Sequence, residues 1–369
     1  MADIALRLDG VSRHYGAVKA VDNLSIDIPS GAFVTLLGPS GCGKSTTLSL
    51  IAGLDRLDSG RILLGNEDIT LTPPNERRMA MVFQNYALYP HLNAFENIAF
   101  GLKLQHRPKD EIRSRVGAVA EALDITHLMK RKPGQMSGGQ QQRVALGRAL
   151  VKEPLVFLLD EPFSNLDAGL RSRMRTEVKH LHLKLGTTSV FVTHDQEEAM
   201  TLSDLIAVMR DGKVVQLGTS REIYRHPEDL YVATFVGKPK MSLVDGALER
   251  SNGSVSFVSP DLRIALGSSA ELGLRDGAWP NVALGVRAED IRLSDAGSAD
   301  HPIGSFGASV QLLEPIGSDT FVELEAGDAT VVARVAPDVR LDIGQAVQAT
   351  LAPGRVHLFD REGGQRIIH

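Results

Sequence analysis

The stretch from Gly38 to Thr46 combines residue types and spacings that suit it to hold phosphate. It reads GPSGCGKST and matches the pattern G-x-x-x-x-G-K-[ST]. Glycine lets the backbone turn its N–H groups inward and approach an anion closely. Lys44 would reach the β- and γ-phosphates of a nucleotide, and the Ser45 hydroxyl would bind Mg²⁺. The predicted phosphate-binding residues are Gly38, Pro39, Ser40, Gly41, Cys42, Gly43, Lys44, Ser45 and Thr46.

The residues on either side of this stretch provide the expected supports. Residues 32–37 form a short apolar run typical of a buried strand, and residues 47–53 read as a helix that ends at glycine. The amino end of a helix carries a partial positive charge, which favours the same anion. The alternative, a glycine- and serine-rich surface turn, does not account for a complete motif between a strand and a helix.

Polar side chains follow three further apolar runs of strand length. The residues concerned are Gln84 after 79–83, Asp160 and Glu161 after 155–159, and His194 after 188–193. In a parallel sheet that carries a phosphate-binding loop, the carboxyl ends of the strands face the ligand crevice. The two adjacent acids predict the Mg²⁺-holding element of such a site. A lone histidine is most often structural, but a position at this edge favours contact with phosphate.

A second glycine-rich helix start lies at residues 137–140, which read Ser-Gly-Gly-Gln. Ser137 is a good N-cap for the amphipathic helix expected over residues 141–150. Glycine-rich helix N-termini bind anions, so this is a second candidate anion site. An ordinary capped loop is the alternative when the motif is taken alone.

Aromatic residues stand in two predicted loops. Tyr15 lies upstream of the phosphate-binding stretch and could stack on a nucleotide base, although a loop tyrosine more often packs against the protein surface. The segment after Gln84 contains Tyr86, Leu88 and Tyr89. We expect these three to be exposed as one cluster, which usually marks a contact site; the alternative is packing beneath neighbouring helices.

Length and composition describe an ordinary globular protein with room for two domains. The chain has 369 residues, 43% hydrophobic and 23% charged, and a net charge of −5 that gives no sign of nucleic-acid binding. The first residues show no charged region followed by an apolar one, so we expect no secretory leader, and no apolar stretch approaches the roughly 18 residues of a membrane helix. Cys42 is the one cysteine, so no internal disulfide can form. Together these features predict that the protein is located in the reducing cytoplasm.

The other patterns predict two hairpins, two helices and an all-β region. The hairpins cover residues 4–28 and 205–217, the second turning at an Asp-Gly pair. The helices cover residues 94–104 and 109–130. From Phe235 onward short strands alternate with turns, which predicts an all-β domain, a small barrel.

Taken together, these stretches resemble the ATP-binding-cassette (ABC) ATPases over nearly the whole chain. Residues 137–140 are similar to the family signature, with Met136 where the family has leucine. Three segments resemble the maltose-type, multiple-sugar importers: FQNYALYPHL at 83–92, EPFSNLDA at 161–168 with Phe163 in place of leucine, and THDQEEAM at 193–200. The C-terminal strands, including LGVRAEDI at 284–291, are similar to the regulatory oligonucleotide-binding-like (OB-like) domain of those importers. That likeness does not imply RNA or DNA binding.

The resemblance implies a fold and an activity. The fold is an α/β P-loop NTPase core of the RecA-like type with antiparallel β and helical subdomains, followed by a C-terminal all-β OB-like domain. The expected limits are residues 1–236 for the ATP-binding cassette and residues 237–369 for the β-barrel regulatory domain. The implied cofactors are ATP and Mg²⁺. The implied activity is ATP hydrolysis that energises uptake of a small solute, a carbohydrate or related polyol.

Residue roles follow from the same resemblance. Tyr15 would stack on adenine, and Lys44 with its loop would hold the phosphates. Glu161 would act as general base or position the water, and His194 would sense the γ-phosphate. The residues that would arrange Mg²⁺ are Ser45, Gln84 and Asp160.

The resemblance also implies partners. The signature residues Ser137, Gly138, Gly139 and Gln140 would bind the γ-phosphate of ATP held by a second copy, in a head-to-tail dimer with Asp167 at its seam. Integral membrane permease subunits would dock a coupling helix on the loop after Gln84, and a solute-binding protein would take part indirectly. No nucleic-acid partner is expected. The chain would lie peripherally on the cytoplasmic face of the cell membrane.

Two other classes fit the sequence less well. A GTPase would carry a guanine-reading Asn-Lys-x-Asp motif, which the sequence lacks. A soluble cassette ATPase acting on DNA or the ribosome would have two cassettes or coiled-coil arms, whereas this chain has one P-loop and no long heptad run. Copurification with membrane subunits would indicate a membrane importer, and copurification with nucleic acid would indicate a soluble cassette ATPase. The cargo of an importer is set by other subunits, so this sequence does not name it.

Overall fold

The computed structural model describes residues 3–84, 86–164, 166–251, 253–260, 262–275, 277–295, 304–352 and 354–368. The chain forms two compact units, Met1–Ser220 and Arg221–His369. The predicted limit between residues 236 and 237 concerns functional domains and stays a prediction; the compact units divide earlier in the chain. No helix in the described part is long and apolar enough to cross a membrane.

The first unit combines two sheets with a group of helices. Its strands are β1 Ile4–Tyr15, β2 Val18–Pro29, β3 Phe33–Leu37, β4 Ser59–Leu64, β5 Glu67–Asp68, β6 Met79–Val82, β7 Val156–Asp160, β8 Thr188–Thr193, β9 Leu205–Arg210 and β10 Lys213–Gly218. Its helices are α1 Lys44–Ala52, α2 Ala94–Leu104, α3 Lys109–Ala122, α4 Gly138–Leu150, α5 Ala168–Leu185 and α6 Gln196–Leu202, with single 3-10 turns at Thr126–Leu128 and Pro133–Gln135.

A six-stranded sheet of order β10-β9-β3-β8-β7-β6 forms the centre of the first unit. The last five of these strands are parallel neighbours, and β10 runs antiparallel at one edge. Every residue of β3 and β8 is buried, as expected for parallel strands covered on both faces. Because the strands are parallel, their carboxyl ends meet at one edge of the sheet.

Both predicted hairpins are present. β1 and β2 pair from Ile4 opposite Pro29 to Tyr15 opposite Val18, in a four-stranded sheet of order β2-β1-β4-β5. β9 and β10 turn at Asp211-Gly212, whose φ angles of 49° and 77° suit a tight hairpin turn. Apolar side chains of β1 and β2 share one core with α1 and the central sheet.

Helices α2, α3 and α4 pack together as a helical group over a second core. The predicted helix at residues 109–130 is wrong in its last part, because α3 ends at Ala122. Asp124 then adopts a left-handed conformation with φ 53°. The turn at Asp124 directs Ile125 and Leu128 into the core, where neither is exposed to solvent.

The second unit is built mainly of strands, as predicted. They are β11 Ser242–Ser251, β12 Ser254–Val258, β13 Arg263–Ser268, β14 Val282–Val286, β15 Ile291–Asp295, β16 Ser305–Pro315, β17 Thr320–Ala326, β18 Ala329–Val335, β19 Ala346–Leu351 and β20 His357–Asp360. Short helices are α7 Ser220–Arg225, which starts at the end of the first unit, α8 Leu230–Phe235 and α9 Ser269–Leu272, with a 3-10 turn at Ala288–Asp290.

Two five-stranded antiparallel sheets share the core of the second unit. Their orders are β13-β12-β11-β14-β20 and β15-β19-β16-β17-β18. Arg287 is buried beside them and donates to the carbonyl oxygens of Tyr224, at 2.8 Å, and Val236, at 2.9 Å. Its guanidinium also lies 3.7 Å from the centre of the Tyr224 ring. These contacts fasten α7 and α8 to the β domain.

Candidate nucleotide-binding site

The phosphate-binding stretch forms the loop between β3 and α1. β3 ends at Leu37, and α1 begins at Lys44, earlier than the predicted run at 47–53. Gly43 precedes the helix in a left-handed conformation with φ 101°. The amino end of α1, with its free N–H groups, therefore faces the loop, as anion binding requires.

Two glycines of this loop sit where no side chain fits. A Cβ on Gly43 would lie 2.2 Å from the carbonyl oxygen of Ala20 in β2. A Cβ on Gly38 would lie 2.5 Å from the carbonyl oxygen of Met209 in β9. The loop is thus held between two strands at backbone contact distance, which explains these two glycines without reference to a ligand.

Lys44 places a positive charge against the loop. Its Nζ donates to the carbonyl oxygens of Gly38 and Pro39, each at 2.9 Å. The side chain is 5% exposed. A buried ammonium fixed in this way offers a strong, preorganised attraction to a phosphate in the loop.

Ser45 and Asp160, two of the predicted Mg²⁺ ligands, are in direct contact. The hydroxyl of Ser45 donates to Oδ1 of Asp160 at 3.1 Å. Burial raises the pKa of Asp160 above its usual range, and the charge of Glu161 adds to this, whereas Ser45 and Lys44 oppose it. The site therefore disfavours an uncompensated charge on Asp160, and a cation would relieve that penalty.

Glu161 and His194 form a second pair at the same edge. Nδ1 of His194 lies 3.1 Å from Oε2 of Glu161. The backbone of Glu161 is left-handed, with φ 41°, and is fixed by hydrogen bonds to Val192 at 3.0 Å and from the Ser164 hydroxyl at 3.0 Å. Such a conformation costs about 1–3 kcal/mol for a residue other than glycine, and it is concentrated at functional sites.

Strand register explains why distant positions meet at this edge. The aligned pairs at the carboxyl ends are Leu37 with Thr193, Asp160 with Val192, and Val82 with Leu159. His194 comes directly after β8. Gln84 is the second residue after β6 and is exposed in a turn. The structure thus brings the loop, both acids, the histidine and the glutamine to one side of the sheet.

Tyr15 is held at the end of β1 by polar contacts. Its hydroxyl donates to Oδ2 of Asp55, and the guanidinium of Arg13 lies 4.8 Å from its ring centre. Arg13 in turn forms a 2.9 Å ion pair with Asp55, which follows α1. The ring is 49% exposed. The structure accounts for its fixed position, and stacking on adenine stays a prediction.

Ser137 caps α4, as predicted. Its hydroxyl accepts from the N–H of Gln140 at 3.4 Å, and Oε1 of Gln140 accepts from the N–H of Ser137 at 3.1 Å. This reciprocal capping box fixes the first turn of the helix.

The two signature glycines lie against the entry to α5. A Cβ on Gly138 would be 3.3 Å from a methyl carbon of Leu166, and one on Gly139 would be 3.0 Å from a methyl carbon of Leu170. Asp167 caps α5 by accepting from the N–H of Leu170 at 2.9 Å. The signature and Asp167 are therefore neighbours, whereas the contacts of the phosphate-binding loop are with β2, β7 and β9.

The donors at the strand edge fit Mg²⁺, which prefers hard oxygen ligands. Adjacent oxygens around an octahedral Mg²⁺ with bonds of about 2.1 Å are about 3.0 Å apart. The 3.1 Å contact between Ser45 and Asp160 matches that separation. Within the described part of the chain, no group of three or more His, Cys, Asp and Glu side chains is arranged to hold a metal.

Two residues that fix the loop after β6 were not predicted from the sequence. Arg148 in α4 donates to the carbonyl oxygens of Tyr86, at 3.1 Å, and Ala87, at 2.6 Å. Asn97 in α2 is fully buried, and its amide pairs with both the N–H and the carbonyl of Tyr89. Arginine and asparagine usually mark the solvent side of a helix, so no sequence signal identified these two.

The expectation that Tyr86, Leu88 and Tyr89 form one exposed cluster is wrong. Tyr86 is buried in the core of the helical group, and Leu88 packs against the same core. Tyr89 is 36% exposed, with its ring centre 4.5 Å from that of Phe100. The left-handed turn at Tyr86, with φ 57°, accompanies this inward packing.

Known proteins are similar to this chain along its whole length. The family described as ABC transporter matches residues 21–164, and the TOBE domain matches residues 284–359. The sulfoquinovosyl glycerol transport ATP-binding protein SmoE of Agrobacterium fabrum is 43% identical over 369 residues, 100% of both chains. The sn-glycerol-3-phosphate import ATP-binding protein UgpC of Salmonella typhi is 43% identical over 98% of this chain and 99% of its own. The chain belongs to the ABC transporter family.

A solved structure supports this assignment. The dimeric structure of a post-hydrolysis state of the ATP-binding cassette MJ0796, bound to ADP and Pi, aligns with a TM-score of 0.52 and 33% identity. The alignment covers 58% of this chain and 99% of that one. As a member of the ABC transporter family, the protein binds and hydrolyses ATP, and it couples hydrolysis to transport. The predicted family, P-loop NTPase core and C-terminal all-β domain are confirmed.

Proposed function

We propose that this ABC protein is the ATP-hydrolysing subunit of a membrane importer for a carbohydrate or related polyol. The relatives that it matches end to end are named for transport of sulfoquinovosyl glycerol and import of sn-glycerol-3-phosphate. Both solutes are small and polyhydroxylated. The geometric observation that carries the ATPase part is the 3.1 Å contact of Glu161 with His194, on the strand edge that also holds Ser45 and Asp160.

Each residue at the edge has a proposed role in hydrolysis. The triphosphate lies in the loop 38–46, with Lys44 at the β- and γ-phosphates, and Tyr15 stacks on adenine. Mg²⁺ supplies neutralisation of phosphate charge when it is bound. Glu161 accepts a proton from the attacking water, and His194 orients the Glu161 carboxylate and senses the γ-phosphate. The proposed Mg²⁺ ligands are Ser45, Gln84 and Asp160.

A second copy of the chain completes each site. The signature 137–140 of one subunit contacts the γ-phosphate bound by the other, with Asp167 at the seam between them. Both the phosphate-binding loop and the signature are helix N-termini, so each stabilises an anion placed between them. Hydrolysis removes the γ-phosphate, and with it the charge that keeps the two copies together.

The proposed membrane partners couple this ATP cycle to solute transport. Permease subunits dock on the segment after Gln84 and hold the chain on the cytoplasmic face of the membrane, while a solute-binding protein delivers the solute. Residues 1–236 perform the nucleotide chemistry, and residues 237–369 regulate it. No nucleic acid takes part.

Glu161→Gln tests the ATPase and dimer parts together. The amide keeps the size of the acid but cannot accept the proton, so phosphate release should fall about 10²–10⁴-fold while ATP binding remains. Gel filtration with ATP and Mg²⁺ should then show a stable dimer. Lys44→Ala is the control that loses both binding and dimer. A Glu161→Gln protein that stays monomeric with ATP and Mg²⁺ would contradict the proposed dimer or the role of Glu161.

Uptake tests the importer part. In cells that lack the gene, the wild-type chain should restore uptake of a labelled sugar or glycerol-linked polyol, and Lys44→Ala should not. The tagged chain should also copurify with integral membrane subunits. Copurification with nucleic acid or ribosomes in their place would favour the soluble class.

A further inference from the structure

A groove on the helical group has a lining that none of the roles above uses. It lies between α2 and α3 and has a volume of about 520 Å³. We name it the basic groove, and its lining residues are Phe95, Lys103, His106, Arg107, Lys109, Ile112 and Arg113. Five of the seven side chains are cationic or can become so, and no acidic side chain is among them.

The turn between α2 and α3 sets the positions of these cations. After α2 ends, His106 adopts a left-handed conformation with φ 54°, and its N–H donates to the carbonyl of Lys103 at 3.0 Å. The N–H of Arg107 donates to the carbonyl of Leu102 at 3.1 Å. Lys109 then begins α3. His106 and Arg107 therefore project from a turn with a defined backbone, between Lys103 of α2 and Lys109 of α3.

The charge of the basic groove is only partly neutralised by its surroundings. The ion pairs to acidic side chains are long or shared. Arg113 lies 3.6 Å from Asp110. Arg107 lies 3.8 Å from Glu111, and Glu111 also forms a 3.1 Å ion pair with Arg115. Within the residues that the structure describes, no ion pair engages Lys103 or Lys109. A local excess of positive charge thus stands on a protein whose net charge is −5.

Apolar groups accompany these cations. Phe95 and Ile112 join the core of the helical group from the side of the basic groove. Leu104, next to Lys103 at the end of α2, is 66% exposed. Ile112 is buried and Phe95 is half-buried, so the exposed apolar side chain beside the cations is Leu104. Basic side chains beside an exposed apolar one are typical of segments that adhere to anionic lipid surfaces. A free phosphate ion would need neither the apolar groups nor so large a groove.

We propose that the basic groove binds the headgroups of anionic phospholipids. The inference rests on the proposed location at the membrane and adds a direct lipid contact to the docking on permease subunits. Each lysine or arginine near an anionic surface strengthens binding roughly five-fold, so three of them together contribute about 100-fold. Bound lipid would hold the turn between α2 and α3, in the helical group that carries the signature helix α4.

Vesicle cosedimentation of the full chain tests this proposal. Vesicles of phosphatidylcholine with phosphatidylglycerol should bind the wild-type chain, and vesicles of phosphatidylcholine alone should not. The triple variant Lys103→Gln, Arg107→Gln, Lys109→Gln should lose about 100-fold in partition. A matched variant in the second unit, Lys240→Gln, Arg292→Gln, Arg340→Gln, removes the same charge from exposed positions and should bind like wild type. Raising the salt from 0.1 to 0.5 M should weaken wild-type binding.

Each alternative has its own outcome. Equal loss of binding in both triple variants would show a general charge effect and overturn the proposal, as would absence of wild-type binding at 0.1 M salt. Full competition by millimolar glycerol phosphate, which lacks acyl chains, would assign the basic groove to a soluble phosphate compound and not to a membrane. Basal ATP hydrolysis should be unchanged in both variants, which separates this test from that of the proposed function and reports correct folding.

Discussion

Asp160 sits in surroundings that suit a cation and oppose its own charge. Burial and Glu161 raise its pKa, and the Ser45 hydroxyl donates a hydrogen bond to its carboxylate. Asp160→Asn keeps an oxygen acceptor for Ser45 but removes the charge. We therefore expect the variant to lose hydrolysis, and in nucleotide-free protein at pH 7 to gain roughly 0.5–2 kcal/mol in free energy of unfolding.

The pH dependence of this effect has a definite sign. A raised pKa means that the folded chain binds the proton more tightly than the unfolded chain, whose aspartate ionises near 3.9. The stabilisation by Asp160→Asn should therefore be absent below that pH and grow as pH rises through the folded pKa. Urea unfolding across this range measures it. Asp319→Asn is the opposite control, because Arg334 lowers the pKa of Asp319; equal effects of the two substitutions would refute the argument.

Gly43 gives a second prediction at the level of single residues. A Cβ there would meet the carbonyl oxygen of Ala20 at 2.2 Å, and φ is 101°. Gly16 also has a positive φ, 61°, but nothing lies within 4 Å of a Cβ at that position. Gly43→Ala should therefore lower the free energy of unfolding by roughly 1–3 kcal/mol more than Gly16→Ala, and should also weaken ATP binding. Denaturation and a fluorescent ATP analogue measure the two effects, and similar values for both variants would show that backbone strain alone matters.

His357 makes the second unit sensitive to acid. It is buried, and burial, assisted by Arg366 and Arg287, lowers its pKa to about 3. An unfolded histidine takes up a proton near pH 6.5, so stability is lost as pH falls from that value towards 3. At pH 5 the loss relative to pH 7 is about 2 kcal/mol.

His357→Leu should abolish this contribution. The variant should show a smaller fall in free energy of unfolding between pH 7 and pH 5 than wild type, measured by denaturation at each pH. His127→Leu, at an exposed position, is the control for the loss of a histidine as such. An unchanged slope in His357→Leu would assign the acid sensitivity to other groups.

At the scale of elements, the loop after β6 has a fixed backbone and leaves the Tyr89 ring partly accessible. Arg148 and Asn97 hold its backbone, so the Tyr89 ring keeps its place beside Phe100. Tyr89→Ala should leave ATP hydrolysis by the isolated chain nearly intact but reduce assembly with permease subunits or solute uptake, because aromatic anchors dominate interfaces. Phe100→Leu keeps an apolar neighbour and serves as a milder control. Normal uptake by Tyr89→Ala would place the docking surface elsewhere.

The sequence predicted elements well where local patterns decide the structure. The strand–loop–helix around Lys44, both hairpins and the N-cap Ser137 depend on residues near one another in sequence, and the structure contains them. The end of α3 was missed because the turn at Asp124 depends on a core built by distant helices. The inward packing of Tyr86 has the same cause. Long-range hydrogen bonds such as those of Arg148 leave no local pattern in the sequence.

The same limit applies to the candidate site. That the acids and the histidine would meet could be predicted, because parallel strands align their carboxyl ends. The direct pairs Ser45 with Asp160 and Glu161 with His194 needed coordinates.

For the whole molecule, the structure indicates where the chain could be truncated to separate its two units. Residues 221–236 belong with the second unit. The N–H of Leu230 donates to the carbonyl of Gly364 at 2.7 Å, and Arg287 donates to the carbonyl oxygens of Tyr224 and Val236. A fragment 1–220 should therefore fold cooperatively and remain monomeric without ATP. A fragment 1–239 would carry α7 and α8 without their partners, with apolar residues of α8 exposed, and should aggregate more readily.

Calorimetry, gel filtration and basal ATP hydrolysis compare the two fragments. The shorter fragment should keep basal hydrolysis and lose only regulation. If 1–220 failed to unfold cooperatively while 1–239 did, α7 and α8 would belong functionally with the cassette, and the predicted limit at residue 236 would be the better one.

The enclosure of Cys42 has a practical consequence for spectroscopy. It is the one thiol in the sequence, is 4% exposed, and burial raises its pKa, so at neutral pH it is shielded and protonated. A substitution such as Leu71→Cys, at a side chain that is 93% exposed, would therefore create the one readily labelled thiol. Spin labels or fluorophores could then test for the proposed dimer through the ATP cycle in a background that leaves the native loop chemistry untouched.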